Sequence, residues 1–226
     1  MGHFTGPGLV LQLSCPVDSR GYESFSSTGI WLTSISRLRA GLHASAPRES
    51  YMKSIQLLPI TPVLTDALRT PSAFERSYQV RLGPNADLIR EVAEQNVAFM
   101  RTAGTPEEWG SYLAIDQSSR DVVGVCAYKG SPDAEAGVEI AYFTFPVFEK
   151  QGYGTASAAA LVRQATESGR VRVIRAPTLP TPNASNRLLE RLGFSNVGTV
   201  IDPEDGPVWR WLLNVPCGGN ATGAGE

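Results

Sequence analysis

The clearest chemical signal in the sequence is a helix start carrying two glycines. In Gln151-Gly152-Tyr153-Gly154-Thr155-Ala156 the glycines permit a tight turn. Residues 155–168 then place Ala158, Leu161, Val162 and Ala165 on one helical face. Backbone N–H groups converge at such a start, and both the unsatisfied donors and the helix dipole favour an anion such as phosphate. Neither standard nucleotide loop fits. A Walker A loop needs Gly-Lys-Ser/Thr, which is missing, and a dinucleotide fingerprint needs a third glycine where Ser157 stands. From these residues alone, a purely structural turn stays open beside an anion site.

Upstream, Glu139 alternates with apolar neighbours in the strand-like run 137–145, so its carboxylate projects from one sheet face. A carboxylate there suits a general base; a solvated charge or the partner of an arginine is the structural alternative. Histidine offers no competitor. Both histidines, His3 and His43, precede Met52, so a domain beginning there excludes histidine triads, bases and metal sites. The three cysteines, Cys15, Cys126 and Cys217, are odd in number and lack metal-ligand spacing. No metal site and no disulfide framework is expected, and a reducing, cytoplasmic compartment fits best. Cys126 falls in the apolar run 122–128 and reads as a buried structural thiol.

These residues need a scaffold. A strand at 54–60, a short helix at 62–69 and a longer helix at 85–102 are expected first. Strands at 111–115, 122–128 and 137–145 follow, joined by polar or Gly/Pro-rich turns, which is the pattern of an antiparallel meander. After the helix 155–168 come a strand at 171–176 and a helix at 183–192 with Gly193 at its end. Strands at 194–201 and 207–213 flank Asp202-Pro203-Glu204-Asp205-Gly206 and form a closing hairpin. The order predicts an α/β domain with a mixed sheet, unlike the uniform βαβ repeat of a doubly wound fold.

With 226 residues, 42% hydrophobic and 19% charged, the chain is long enough for one domain with a sizeable core. A net charge of −2 gives no electrostatic reason to expect nucleic acid or an anionic membrane as partner. Residues 1–51 are rich in Ser and Gly, without lysine or sustained periodicity. They read as a disordered extension or as a consequence of an upstream start codon, with a transit peptide as the other possibility. Residues 52–215 form the expected domain, and 216–226 a flexible Gly-rich tail.

The run Val138-Glu-Ile-Ala-Tyr-Phe-Thr-Phe-Pro146 followed by Gln151-x-x-Gly154-x-Ala156 resembles the signature of the GNAT acetyltransferases, Arg/Gln-x-x-Gly-x-Gly/Ala after a strand. Pro182-Asn-Ala-Ser-Asn-Arg-Leu-Leu-Glu-Arg-Leu-Gly-Phe194 resembles the Asn/Ser helix and Gly-Phe ending of the same superfamily. The similarity covers residues 112–213 and is nearest the branch of ribosomal-protein N-terminal acetyltransferases. It implies the GNAT fold, a mixed, largely antiparallel twisted sheet with flanking helices and splayed central strands. It also implies acetyl-CoA as co-substrate, with the pantetheine arm along Tyr142, Phe143 and Thr144. The pyrophosphate would rest on the amides of Gln151, Gly152, Tyr153, Gly154, Thr155 and Ala156, and Asn183 would contact the CoA arm or act as a helix cap. Glu139 falls where several members keep a general base. The position of a frequent tyrosine acid is Leu189 here, and Ser185 is its substitute. The implied reaction is direct attack of a primary amine, either a small molecule or a protein N-terminus, by a monomer or homodimer. A non-catalytic acyl-CoA sensor on the same fold is the main rival.

Overall fold

Thr61 starts the first helix through its own side chain. Its hydroxyl accepts a hydrogen bond from the Leu64 amide at 3.1 Å, and Pro62 brings a helical φ to the first turn. The computed structural model describes residues 53–203 and 205–216, so the expectations for 1–51 and for most of the tail lie outside the described residues. After β1 (Ile55–Pro59) come α1 (Pro62–Ala67), α2 (Pro71–Tyr78) and α3 (Ala86–Ala103). In α3, Ile89, Val92, Ala93, Val97 and Met100 make the buried stripe, and the left-handed Gly104 ends the helix. The helix α2 was not expected. Among its residues only Phe74 is buried, too little apolar periodicity to announce a helix.

Three strands then run as the meander pattern requires: β2 (Ser111–Asp116), β3 (Val122–Tyr128) and β4 (Gly137–Thr144). The remaining elements are α4 (Tyr153–Glu167), β5 (Val173–Thr178), α5 (Ala184–Arg191), β6 (Ser195–Asp202) and β7 (Gly206–Asn214). Among the described residues seven strands join in the order β1-β2-β3-β4-β5-β7-β6, and of these only β4 and β5 pair in parallel. The mixed, largely antiparallel sheet is therefore as the sequence implied. Its apolar side chains form two cores. One joins the sheet to α1, α2 and α3 through Leu64, Phe74, Ile89 and Phe145; the other joins it to α4 and α5 through Ile140, Leu161, Ile174 and Leu189. Strands β2 and β3 are buried along their whole length, so the sheet is covered on both faces there.

Parallel pairing of β4 with β5 covers only Gly137↔Val173, Val138↔Ile174 and Glu139↔Arg175. Two residues past the last pair stands Pro177, which has no N–H to carry the ladder forward. β5 continues against β7 as far as Thr178, while β4 continues against β3 as far as Thr144. The two central strands thus separate where proline withholds a donor. This is the splay expected from the resemblance, and it positions everything that follows.

Cys126 is a free thiol, 1% exposed, and burial pushes its pKa up to about 12. It is a packing residue, as its apolar surroundings indicated.

Candidate active site

Beyond the last β4–β5 pair, the polar edge of β4 has a definite parity. The Glu139 carbonyl accepts from Lys129 N–H at 2.9 Å, and Phe145 N–H donates to the Val123 carbonyl at 3.0 Å. Odd-numbered residues of β4 thus spend their backbone groups on β3, and even-numbered ones point toward β5. Tyr142 and Thr144 present N–H and C=O to the gap, whereas the backbone of Phe143 faces β3. An extended ligand chain with amide groups could pair with that edge as a strand would.

At the end of the gap lies the start of α4. Gly152 is its N-cap in the left-handed region (φ 89°), and no side chain caps the helix. Lys150 is also left-handed (φ 59°), a conformation that costs a non-glycine residue on the order of 1 kcal/mol. Successive turns of this kind curl backbone N–H groups into an anion-binding concavity. The N–H groups of Gly152, Tyr153, Gly154 and Thr155 have no carbonyl four residues back within the helix, and that of Ala156 is the first to be engaged, by the Gly152 carbonyl at 3.1 Å. The helix begins at Tyr153, two residues before the expected start, because Gly152 completes the turn. Gln151 stands just outside, its side chain donating to the Val147 carbonyl at 3.0 Å. A Cβ built on Gly154 would lie 3.4 Å from both Thr144 Oγ1 and Leu188 Cδ1. The end of β4, the start of α4 and the body of α5 therefore meet at this one place.

Side chains alternate across β4, and this separates the remaining site residues. Tyr142 packs with the α4–α5 core, whereas Phe143 and Phe145 pack with the α1–α3 core. Glu139 shares the Phe143 face. Its Oε1 lies 2.8 Å from Lys129 Nζ, so the partner is a lysine rather than an arginine. Burial works against the Lys129 ammonium, but the hydrogen bond to Glu139 and the charges of Asp202 and Asp205 outweigh it and hold its pKa above the ordinary lysine value. The acidic β6–β7 turn therefore acts on the neighbourhood of Glu139. A carboxylate accepts several hydrogen bonds, so Lys129 leaves Glu139 room for a second partner.

On the opposite face, Ser185 of α5 reaches β4. Burial raises the Tyr142 phenol to about 12, with a hydrogen bond from Ser185 acting the other way. Tyr142 accordingly remains protonated at neutral pH. Asn183 is the α5 N-cap: its Oδ1 accepts from Asn186 N–H at 3.0 Å and its Nδ2 donates to the Thr181 carbonyl at 3.1 Å. A cleft of about 350 Å³ runs along α5 beside β6 and β7, lined by Asn186, Arg187, Glu190 and Trp209; of the candidate catalytic and cofactor-binding residues it includes only Asn183. No group of metal-ligating side chains occurs among the described residues.

Two features carry no sequence signal. Lys129 follows an apolar run and reads as a turn lysine until β3 and β4 pair. Asp116 closes β2 and is only 3% exposed, with the Tyr153 hydroxyl donating to its Oδ2 at 2.6 Å. Burial pushes the Asp116 carboxyl up, but Tyr153, the Ser118 and Ser119 amides and Lys53 together hold it below the usual carboxylate range.

The mixed sheet thus parts between its two parallel strands over an uncapped helix start. Residues 58–195, more than half of the chain, match the acetyltransferase (GNAT) domain family, and the protein belongs to it. Members of that family move an acyl group from acyl-CoA to an amine. The uncharacterized N-acetyltransferase YjdG of Bacillus subtilis (strain 168) is 25% identical over 111 residues, which make up 49% of this chain and 66% of YjdG, just under two thirds of its length. The acetyltransferase of Salmonella typhimurium that modifies the N-terminal serine of ribosomal protein L7/L12 has a similar structure, with a TM-score of 0.51 at 17% identity over 72% of this chain and 96% of that one. A putative ribosomal-protein-serine acetyltransferase of Vibrio cholerae gives 0.50 at 14% identity, over 71% and 94%. At these identities the structural likeness establishes the fold.

Proposed function

We propose that the protein transfers an acetyl group from acetyl-CoA to a primary amine by direct attack, without a covalent enzyme intermediate. The observation that carries this is the opening of the β4–β5 ladder directly above the α4 start. The pantetheine arm would pair with the free edge at Tyr142 and Thr144, and the pyrophosphate would take the N–H groups of Gly152–Thr155. Asn183 would order the arm at the start of α5. The amine would approach from the Glu139 face and surrender a proton to that carboxylate. Its nitrogen would bond to the thioester carbon, and the C–S bond would break toward the opposite face. There Ser185 would give the thiolate a proton and take in its place the second proton that leaves the newly acylated nitrogen.

The acceptor is a small amine or a protein N-terminus, the latter supported by what the Salmonella relative modifies. Asp202 and Asp205 beside the Lys129–Glu139 pair favour an acceptor that arrives as a cation. Residues 52–215 constitute the transferase domain, acting as monomer or homodimer in the cytoplasm without nucleic-acid or membrane partners. None of the described helices is long and apolar enough to cross a membrane. One observation favours the second reading, a non-catalytic acyl-CoA sensor: Glu139 is already ion-paired.

Thiol release by the purified chain separates the two. With acetyl-CoA and a panel of peptide N-termini, polyamines and amino sugars, release should depend on one class of amine and fall with longer acyl donors. CoA binding without release for any amine would support the sensor instead.

A further inference from the structure

The loop before α4 has no cap of its own, yet its donors must hold one arrangement to receive a phosphate. What fixes it lies across the domain. Tyr153 is the first residue of α4 and only 4% exposed. Its hydroxyl donates to Asp116 Oδ2 at 2.6 Å, and its ring meets Phe148 edge-on at 5.7 Å. Asp116 is itself immobilised: Oδ1 accepts from the Ser118 amide at 2.8 Å and the Ser119 amide at 3.4 Å. Lys53, just before β1, places Nζ 3.8 Å from Asp116 Oδ2 and 4.8 Å from the centre of the Tyr153 ring. The buried carboxylate thus has donors on both oxygens and a cation beside it, the condition under which a buried charge is tolerated.

We infer that Asp116 is a positioning residue for acyl-CoA, acting through Tyr153. The inference rests on the acyl-CoA reading of the α4 start. Tyr153 belongs to the same turn as the four free N–H groups and contributes one of them. Its side chain ties that turn to β2, whose own position is fixed by pairing with both β1 and β3. Without the tether, Gly152 and the strained Lys150 leave the turn free to sample other conformations. A ligand binding only one of them then loses apparent affinity in proportion to its population. The acceptor binds elsewhere, and the reacting groups Glu139 and Ser185 are not part of the tether.

Tyr153→Phe keeps the buried ring and removes only the hydroxyl; Asp116→Asn keeps the size and removes the charge. In the full-length chain each should raise both the Kd for CoA and the KM for acetyl-CoA roughly tenfold, as when the competent turn falls to about a tenth of the population. In Asp116→Asn, whose side chain faces Tyr153 and not the ligand, the kcat and the KM for the amine should change by less than about twofold, a split that general loosening of the fold would not produce. The double variant should bind CoA about as weakly as either single one, because both break the same link. If Asp116→Asn does not fold, Tyr153→Phe carries the test. An unchanged Kd in a folded Tyr153→Phe protein, with the wild type binding CoA, would overturn the positioning role alone. Failure of the wild type to bind CoA would instead overturn the acyl-CoA reading beneath it.

Discussion

Replacing Glu139 by glutamine is expected to lower kcat about 100-fold at neutral pH, the scale of a lost general base. An acceptor amine arrives mostly as ammonium, and attack needs the free nitrogen. Glutamine keeps the shape of the side chain and cannot take the proton. The deficit should therefore shrink as pH rises toward the acceptor's own pKa, near about 10.4 for an alkylamine or about 7.8 for a peptide N-terminus. Above that value the amine enters already deprotonated and the two proteins should converge, so the crossover also reports the class of acceptor. Lys129 complicates the substitution, since Glu139 is its partner at 2.8 Å. Asp202 and Asp205 still act on that ammonium, and a Lys129→Met/Glu139→Gln double variant separates loss of the pair from loss of the base. Equal turnover by Glu139→Gln across the pH range would remove Glu139 from the chemistry.

The second large effect is expected at Gly124, in the middle of β3 opposite Thr144. A Cβ there would sit 2.1 Å from the Phe143 carbonyl oxygen and 3.1 Å from Thr144 Cα. Both are backbone atoms and cannot swing aside as a side chain can. Gly124→Ala must push the end of β4 away from β3, and that end forms the edge of the gap. A cost of about 3 kcal/mol is expected, at the upper end for overpacking in a well-packed interior. For a chain of this size that is a fall of roughly 6–12 °C in Tm. Binding of CoA should weaken more than stability alone explains, because the displaced residues include Thr144. Thermal unfolding together with CoA titration of the alanine variant checks both parts.

Much of this was legible in the sequence where the signal is local. The α3 stripe, the apolar runs of β2 and β3, the glycine turn before α4 and Gly193 after α5 all announce themselves through spacing or backbone freedom. Helix geometry offers the Gly152 turn as an anion site beside a purely structural turn, and only the GNAT resemblance points to pyrophosphate as the anion. What escaped depends on residues far apart in the chain. Lys129 meets Glu139 only because β3 and β4 pair in one register, and a shift of one residue would put Glu139 on the other face. The Asp116–Tyr153 bond joins the end of β2 to the start of α4 across 37 positions, so neither residue stands out locally. Pro177 looked like the end of a strand. It is instead the point where β5 keeps β7 and lets go of β4.

Calorimetric titration of the full-length protein with CoA bears most directly on the gap and the α4 start as an acyl-CoA site. One saturable site per chain is expected, with pantetheine, which lacks the pyrophosphate, binding much more weakly. Absence of saturable binding, or equal binding of CoA and pantetheine, would contradict the role assigned to the N–H groups of Gly152, Tyr153, Gly154 and Thr155.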